Sequence, residues 1–289
     1  MFREEPIMSN FIITADTTMD LPLDLIKKYD IHPIASYVSL GGADMPDWPD
    51  VTQQDLFAYV AKSGELPKTS AANPYDYEEF FKKIRETDDR PIIHIAKTSG
   101  ASSCFENAVQ ASREVSDVYC VDSWGLGSGT GLVAIRAATS EISDPKALCE
   151  DLNEYRTRID CSFVIETVDY LFKGGRCSGL AAIGANILKL RPEILLTEGK
   201  MHAGRKFRGR YDRVLHEFTE EKLGHPEQFE PDFLFINHTL QDPQLLNGLV
   251  SYVKGLNYFK EVIDIPVCAA VATHCGPGTF GFHPVRKKA

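Results

Sequence analysis

Apolar residues in the first half of the chain come in short runs. Each run closes on a hydroxyl, carboxylate or glycine residue, and the runs alternate with stretches of helical spacing. Phe11 to Ala15 reads as a strand stopping at Asp16-Thr17-Thr18, and Leu23 to Tyr29 has helical spacing. Ile31 to Leu40 returns to a strand pattern and halts at Gly41-Gly42. Thr52 and Asp55 have the spacing of a capping box ahead of Leu56, Tyr59 and Val60. Asp76 to Glu86 is an amphipathic helix, and Pro91 to Ala96 a short strand. Ser102 or Ser103 caps a helix running to about Val115; Val118 to Val121 is a strand closing on Asp122-Ser123; Gly125 to Ser140 is a helix with a glycine-rich start. This alternation predicts a mostly parallel sheet covered on both faces. Ligands of such sheets gather at the carboxyl ends of the strands, where Asp16, Thr98 and Asp122 stand.

The pattern changes after a helix predicted over Pro145 to Arg158, which divides the chain into expected domains 1–158 and 159–289. Ser162 to Glu166 reads as a strand, and Val168 to Phe172 as a helical turn stopped by Gly174-Gly175. Leu180 to Leu190 reads as a helix of small residues ended by Pro192. Ile194 to Thr197 and Met201 to Phe207 flank Glu198-Gly199, a hairpin signal, so the second sheet is expected to be mixed. Helices are predicted at Tyr211 to Lys222 and Pro243 to Leu256, and strands at Phe233 to Asn237, Val262 to Ile265 and Ala269 to Ala272.

Charge narrows the partners. With 41 acidic against 31 basic residues, the net charge of -10 argues against nucleic acid, whose phosphates demand a basic surface. Arg205, Lys206, Arg208, Arg210 and Arg213 crowd together with only Asp212 opposing them, as a solvated hairpin end or as a docking patch for an anion or partner. The 7 cysteines are scattered without a CxxC pair, which points away from zinc and toward reduced thiols in a cytoplasmic protein. The opening MFREEPIMSN is not a signal peptide, and no stretch approaches the length of a membrane span.

Several loops carry possible chemistry. Thr69-Ser70 precedes a helix start, and Thr98 to Ser103 lies between a strand and a helix, where amides and hydroxyls hold anions. Either stretch could equally make local turn and cap bonds. His274-Cys275-Gly276-Pro277-Gly278 places a histidine beside glycines that let backbone approach a ligand, and Arg176 follows Gly174-Gly175. A buried structural histidine and a surface arginine are the plain alternatives. Asp16 and Asp122 could pair on a metal, but aspartates at strand ends more often close turns. Walker, GxSxG and HExxH patterns are absent.

In order, these segments resemble the DegV family of bacterial fatty-acid-binding proteins. Ile13-Thr14-Ala15-Asp16-Thr17-Thr18-Met19-Asp20-Leu21 is similar to that family's opening T-D-S-T-x-D-L, and Pro67-Lys68-Thr69-Ser70 to its P-x-T-S. Ser102 to Ala108 fits S-G-T-Y-x-x-A, and Val121-Asp122-Ser123 its strand-ending D-S. Tyr170 to Arg176 is close to Y-L-x-K-G-G-R, and Leu188 to Pro192 fits L-x-I-K-P. Arg208-Gly209 and His274 to Gly278 complete the series. Two departures alter the walls: Ala71-Ala72-Asn73 where the family often has Q-P-S, and Ser103-Cys104 in place of Gly-Thr.

The resemblance implies two α/β domains with a lipid site at their junction, no cofactor and no metal. It implies a carrier, not an enzyme, that presents a long-chain fatty acid to a separate fatty-acid kinase of the dihydroxyacetone-kinase type, forming an acyl phosphate for phospholipid synthesis. On that pattern Thr69, Ser70 and Ser102 hold the carboxylate, His274 orients the network, and Cys275 lies in the wall. Arg176 and Arg208 serve phosphate or kinase docking near the mouth. The rival is a Ser or Cys hydrolase of a lipid-like ester, built on Ser102 or Cys275 with His274. A second rival, an interaction protein without ligand, would lack a closed apolar cavity.

Overall fold

A computed structural model describes residues 9–176 and 190–288. The expected helix over Leu180 to Leu190 falls outside these apart from Leu190, which opens a strand.

The first unit is built on β1 (Ile12–Asp16), β2 (Ile31–Ile34), β6 (Ile92–Ala96) and β7 (Val118–Asp122), all parallel, in the order β2-β1-β6-β7. Helix α1 (Leu23–Lys28) joins β1 to β2 on one side; α4 (Cys104–Ala111) joins β6 to β7 on the other. The direction of winding therefore reverses between β1 and β6, and a crevice opens beyond their carboxyl ends, the usual ligand position in a doubly wound sheet. Between β2 and β6 the chain makes β3 (Tyr37–Leu40), β4 (Ala43–Pro46), α2 (Gln53–Ser63), β5 (Lys68–Ser70) and α3 (Pro74–Arg85). The strands among these form a separate antiparallel sheet, β4-β3-β5.

Local rules explain most boundaries. The capping box at Thr52 forms, with Asp55 N donating to Thr52 Oγ1 at 3.2 Å and Thr52 N to Asp55 Oδ2 at 3.0 Å. Asn73 caps α3 in the same way, with Pro74 following it. The expected single strand over Ile31 to Leu40 is two strands in two sheets. Ser36 breaks it: its N–H donates to Asp47 Oδ1 at 3.1 Å and its carbonyl accepts from Asp47 N at 2.9 Å, which turns the chain out of the parallel sheet.

Apolar side chains cover both faces of that sheet. On one face α3 and α4 bury Tyr77, Phe81 and Ala108 against Ile12 and Ile92. On the other, α5 (Ser128–Ala138) and α6 (Pro145–Tyr155) bury Leu132, Val133, Leu148 and Leu152 against Ile13, Ile93 and Val121.

The second unit holds β8 (Cys161–Val164), α7 (Asp169–Gly174), β9 (Leu190–Thr197), β10 (Lys200–Arg208), α8 (Tyr211–Leu223), β11 (Phe233–His238), α9 (Pro243–Gly255), β12 (Glu261–Pro266), α10 (Ala269–Cys275) and β13 (Phe280–His283). Its mixed sheet runs β10-β9-β8-β13-β11-β12, with only β11 and β12 parallel. Helices α8 and α9 bury Leu215, Phe218, Leu249 and Val253 on one face, against Leu234, Ile236 and Phe282.

One expectation is overturned here. Ala269 to Ala272, read as a strand, is the first part of helix α10. A short apolar run does not tell strand from helix by itself, and small alanines let this one lie close against Val38, Val51 and Leu56 of the first unit. The two units are stitched elsewhere as well. Gln53 Nε2 donates to the carbonyls of His238 and Val267 at 3.0 and 2.8 Å. Ser128 N and Asn237 Oδ1 bond at 2.8 Å. Thr98 Oγ1 donates to Gly199 O at 2.6 Å, docking the tip of the β9–β10 hairpin.

Candidate functional site

The crevice at the ends of β1 and β6 deepens into a cavity of about 450 Å³ between the two sheets, a size typical of small-molecule sites. Leu126, Phe163, Leu171, Met201, Val267 and Val271 supply apolar wall. Polar groups enter from several elements, among them β5, the loop before α4, the end of β6, and α10.

Strand β5 pairs with β3, Val38 opposite Thr69, and so presents Thr69 to α10. Thr69 Oγ1 and His274 Nε2 bond at 2.8 Å, closing a link between residues 205 positions apart. The imidazole is largely buried. Burial first, then the nearby charges of Arg176 and Lys97, pushes its pKa down to about 4, so the ring is neutral near pH 7. Its Nδ1 has no hydrogen-bond partner among the described residues. Gly174 lies against that edge of the ring: a β-carbon there would stand 2.6 Å from Nδ1.

The loop after α10 is fixed by threonines. Thr239 Oγ1 donates to Gly276 O at 2.6 Å and accepts from Thr279 N at 2.8 Å, and Thr279 Oγ1 donates to Cys275 O at 2.9 Å. Gly276, at φ +73°, meets the Tyr170 ring where a side chain would go. Cys275 is buried in the cavity wall, and burial pushes its thiol up to about 12. It is a small packing group and not a thiolate.

Six of the seven expected site residues therefore meet at one cavity: Thr69, Ser70, Ser102, Arg176, His274 and Cys275. Arg176 also borders a second pocket, lined by Thr69 and His274 together with Tyr170 and the exposed Gly64, Lys68 and Lys173, which puts it at the outer end. Arg208 stands apart at the exposed end of β10, away from the cavity lining. In the surrounding basic run, Arg205 pairs with Glu217 and Glu221, and Arg210 with Asp212 at 2.8 Å. Arg208 has no ion-pair partner among the described residues.

The bonds a hydrolase needs are differently placed. Ser102 Oγ lies 3.3 Å from both the thiol and the amide of Cys104, and His274 bonds to Thr69. Asp16 and Asp122 are engaged in local structure. Asp16 accepts from Tyr77 OH at 2.6 Å and Lys97 N at 2.9 Å; Asp122 accepts from Ser99 N and Trp124 N.

Several polar residues of the cavity were not foreseen, among them Ser36, Asn237, His283 and Lys97. Lys97, only 6% exposed, follows the last residue of β6, and its ammonium donates to Ser36 Oγ at 2.6 Å. The available signal was position: a charged residue directly after an apolar strand, at the carboxyl end where ligands of such sheets bind.

The DegV family pattern, described as that of an uncharacterised protein, matches residues 10–287. A fatty acid-binding protein of Thermotoga maritima is 30% identical over 281 residues, spanning 93% of this chain and 96% of its own. A fatty-acid-binding DegV family protein from Thermus thermophilus superposes with a TM-score of 0.87 at 25% identity, over 96% of this chain and 99% of its own. A DegV lipid binding protein from Thermotoga maritima superposes with a TM-score of 0.79 at 26% identity, over 97% of this chain and 100% of its own.

Proposed function

The chain belongs to the DegV family, and we propose that it binds one long-chain fatty acid and presents the carboxylate to a separate fatty-acid kinase of the dihydroxyacetone-kinase type for acyl-phosphate formation. The observation that carries this reading is the division of the cavity: apolar walls over most of its lining, with Thr69, Ser70, Ser102 and His274 gathered in it. An acyl chain fits the first part and a carboxylate the second. Burial of the chain contributes roughly 0.8 kcal/mol per methylene, on the order of 10 kcal/mol before the cost of association. The hydroxyls then place the head group more than they hold the molecule. Neutral His274 and the Thr69 hydroxyl form a fixed donor–acceptor pair for this purpose. Arg176 at the outer end and Arg208 on the surface are suited to phosphate or to the acidic face of a partner.

The test begins with mass spectrometry of small molecules released from purified protein, with one long-chain fatty acid per chain expected. Delipidated protein should then take up palmitate in calorimetry. With a fatty-acid kinase present, Arg208→Ala should keep its lipid and slow acyl-phosphate formation, more so at higher salt. Absence of lipid in both the purified and the reloaded protein would end the carrier reading. Normal transfer by the Arg208 variant would remove that residue's role.

A further inference from the structure

Lys97 is a buried cation without a close counter-charge. Its Nζ donates to Ser36 Oγ, and no carboxylate oxygen lies within 4.0 Å of it among the described residues. An ammonium out of water needs an anion or several acceptors, and here one hydroxyl answers it. The charged and titratable groups around it come from every neighbouring element. Asp16 ends β1 and Asp20 follows it, Asp47 follows β4, Cys104 opens α4, and Cys268 and His274 belong to α10 and its cap. Burial works against the charge on Lys97, but Cys104, Asp16 and Asp47 outweigh it and keep the pKa above the ordinary lysine value.

Of the two carboxylates that bear most on it, Asp16 has both oxygens engaged, whereas Asp47 keeps Oδ2 without a hydrogen-bond partner among the described residues. Asp16 accepts from Tyr77 and from the amide of Lys97, and Asp47 Oδ1 accepts from Thr17 Oγ1 at 2.7 Å and from Ser36 N. From Lys97 a polar run leads through Ser36 and Cys104, 3.9 Å apart, to Ser102, 3.3 Å from Cys104. The run ends at the hydroxyl already placed in the head-group site. His274 feels both Lys97 and Arg176, and both cations line the cavity in which Thr69, Ser102 and His274 are gathered.

We infer that Lys97 is a specificity-determining residue of this cavity: its ammonium is the fixed counter-charge for the ligand's carboxylate, so the site selects single-chain carboxylate anions over neutral lipids of equal length. The inference rests on the proposed fatty-acid site and adds the charge state in which the ligand is held. Hydroxyls and a neutral imidazole hydrogen-bond an alcohol or ester about as well as an acid. A buried ammonium does not, because only an anion repays its desolvation.

The experiment compares palmitate with hexadecanol and methyl palmitate on delipidated protein, in the wild type and in Lys97→Met, which keeps the length of the side chain and removes the charge. The wild type should prefer palmitate by about tenfold or more, and Lys97→Met should lose most of that preference while still binding hexadecanol. In parallel, palmitate labelled with 13C at the carboxyl is titrated by NMR on the wild-type protein. Its bound carboxyl should titrate below the free acid, and upward of the wild-type value in Lys97→Met. This second measurement decides the matter even if the variant does not fold. A wild type that binds palmitate and hexadecanol equally, a variant that keeps the preference, or a bound carboxyl titrating like the free acid overturns the role of Lys97. A wild type that binds none of the three lipids overturns the fatty-acid reading itself.

Discussion

Gly174 shows how much of the site depends on single atoms. It lies in a helix with ordinary backbone angles, so alanine suits its conformation and adds helix propensity of up to about 1 kcal/mol. The added β-carbon, however, meets His274 Nδ1 at 2.6 Å. The ring must turn, and its 2.8 Å bond to Thr69 is the contact that gives way. Gly174→Ala is therefore expected to keep its melting temperature within a few degrees and to bind palmitate about tenfold more weakly, as the Thr69 hydroxyl loses the bond that orients it toward the carboxylate. Calorimetry beside thermal unfolding checks this, and unchanged affinity would mean that the ring orientation is immaterial. At this scale the sequence was partly legible. Thr69, Ser102, Arg176 and His274 announced themselves through hydroxyl-rich and glycine-bordered loops. Lys97 did not, because a lysine at a strand end reads as solvated, and its burial depends on Ser36 and Asp16 brought in from distant parts of the chain.

Among the elements, the turn of the β9–β10 hairpin was legible, since Glu198-Gly199 sits between the paired strands with φ +49° and +75°, the two positive angles of a tight hairpin turn, whereas the start of β9 at Leu190, ahead of the expected Ile194, was not. Nor was the docking of the hairpin. The tip reaches the loop after β6, where Thr98 binds Gly199 O and where a β-carbon on Gly100 would run into that same carbonyl. Gly100→Ala should thus push the hairpin off the first unit and destabilise the protein by about 1–3 kcal/mol, read as a lower denaturant midpoint. An unchanged midpoint would show that the tip contributes nothing to joining the units. The elements that escaped the sequence were short. Lys68–Ser70 offers no apolar alternation, and Phe280–His283 is interrupted by Gly281, whose missing side chain leaves room for Phe163 on the neighbouring strand. Alpha helix α10 was misread because seven residues, mostly small and apolar, satisfy either period.

For the molecule as a whole, buried titratable groups set the response to acid. His94, His238, His274 and His283 are all held below the ordinary histidine value, first of all by burial, with His94 and His274 at about 4 and His283 at about 3. An unfolded chain takes up these protons below about pH 6.5 and the folded one refuses them. Their contribution to stability is thus whole above that pH and lost as it falls. Asp20, raised by burial to about 7, and Asp47, also raised by burial, act in the opposite sense: they favour the fold at low pH, and Asp20's share fades as pH rises toward 7. The histidines are the more numerous, so stability should climb between about pH 4 and 6.5, at about 1.4 kcal/mol per pH unit for each unmatched proton. Melting temperatures across that range test the sign, and a flat or falling curve would refute it. The alternation of strand and helix made the parallel first sheet and the mixed second sheet readable in advance. The partition of β2 and β3 into different sheets was not, because it hangs on two bonds between Ser36 and Asp47.

The position of β13 has a bearing on time. It lies in the middle of the second sheet, between β8 and β11, although it comes after every other strand in the described chain. A ribosome finishes the parallel sheet long before it reaches Phe280, and domains fold as they emerge. Until Phe280–His283 are made, β8 and β11 have no strand between them, and Gly281 and His283 are missing from the cavity wall. The nascent protein thus waits with its first half built and no pocket to fill. Capturing a ligand must wait until Phe280–His283 have been made.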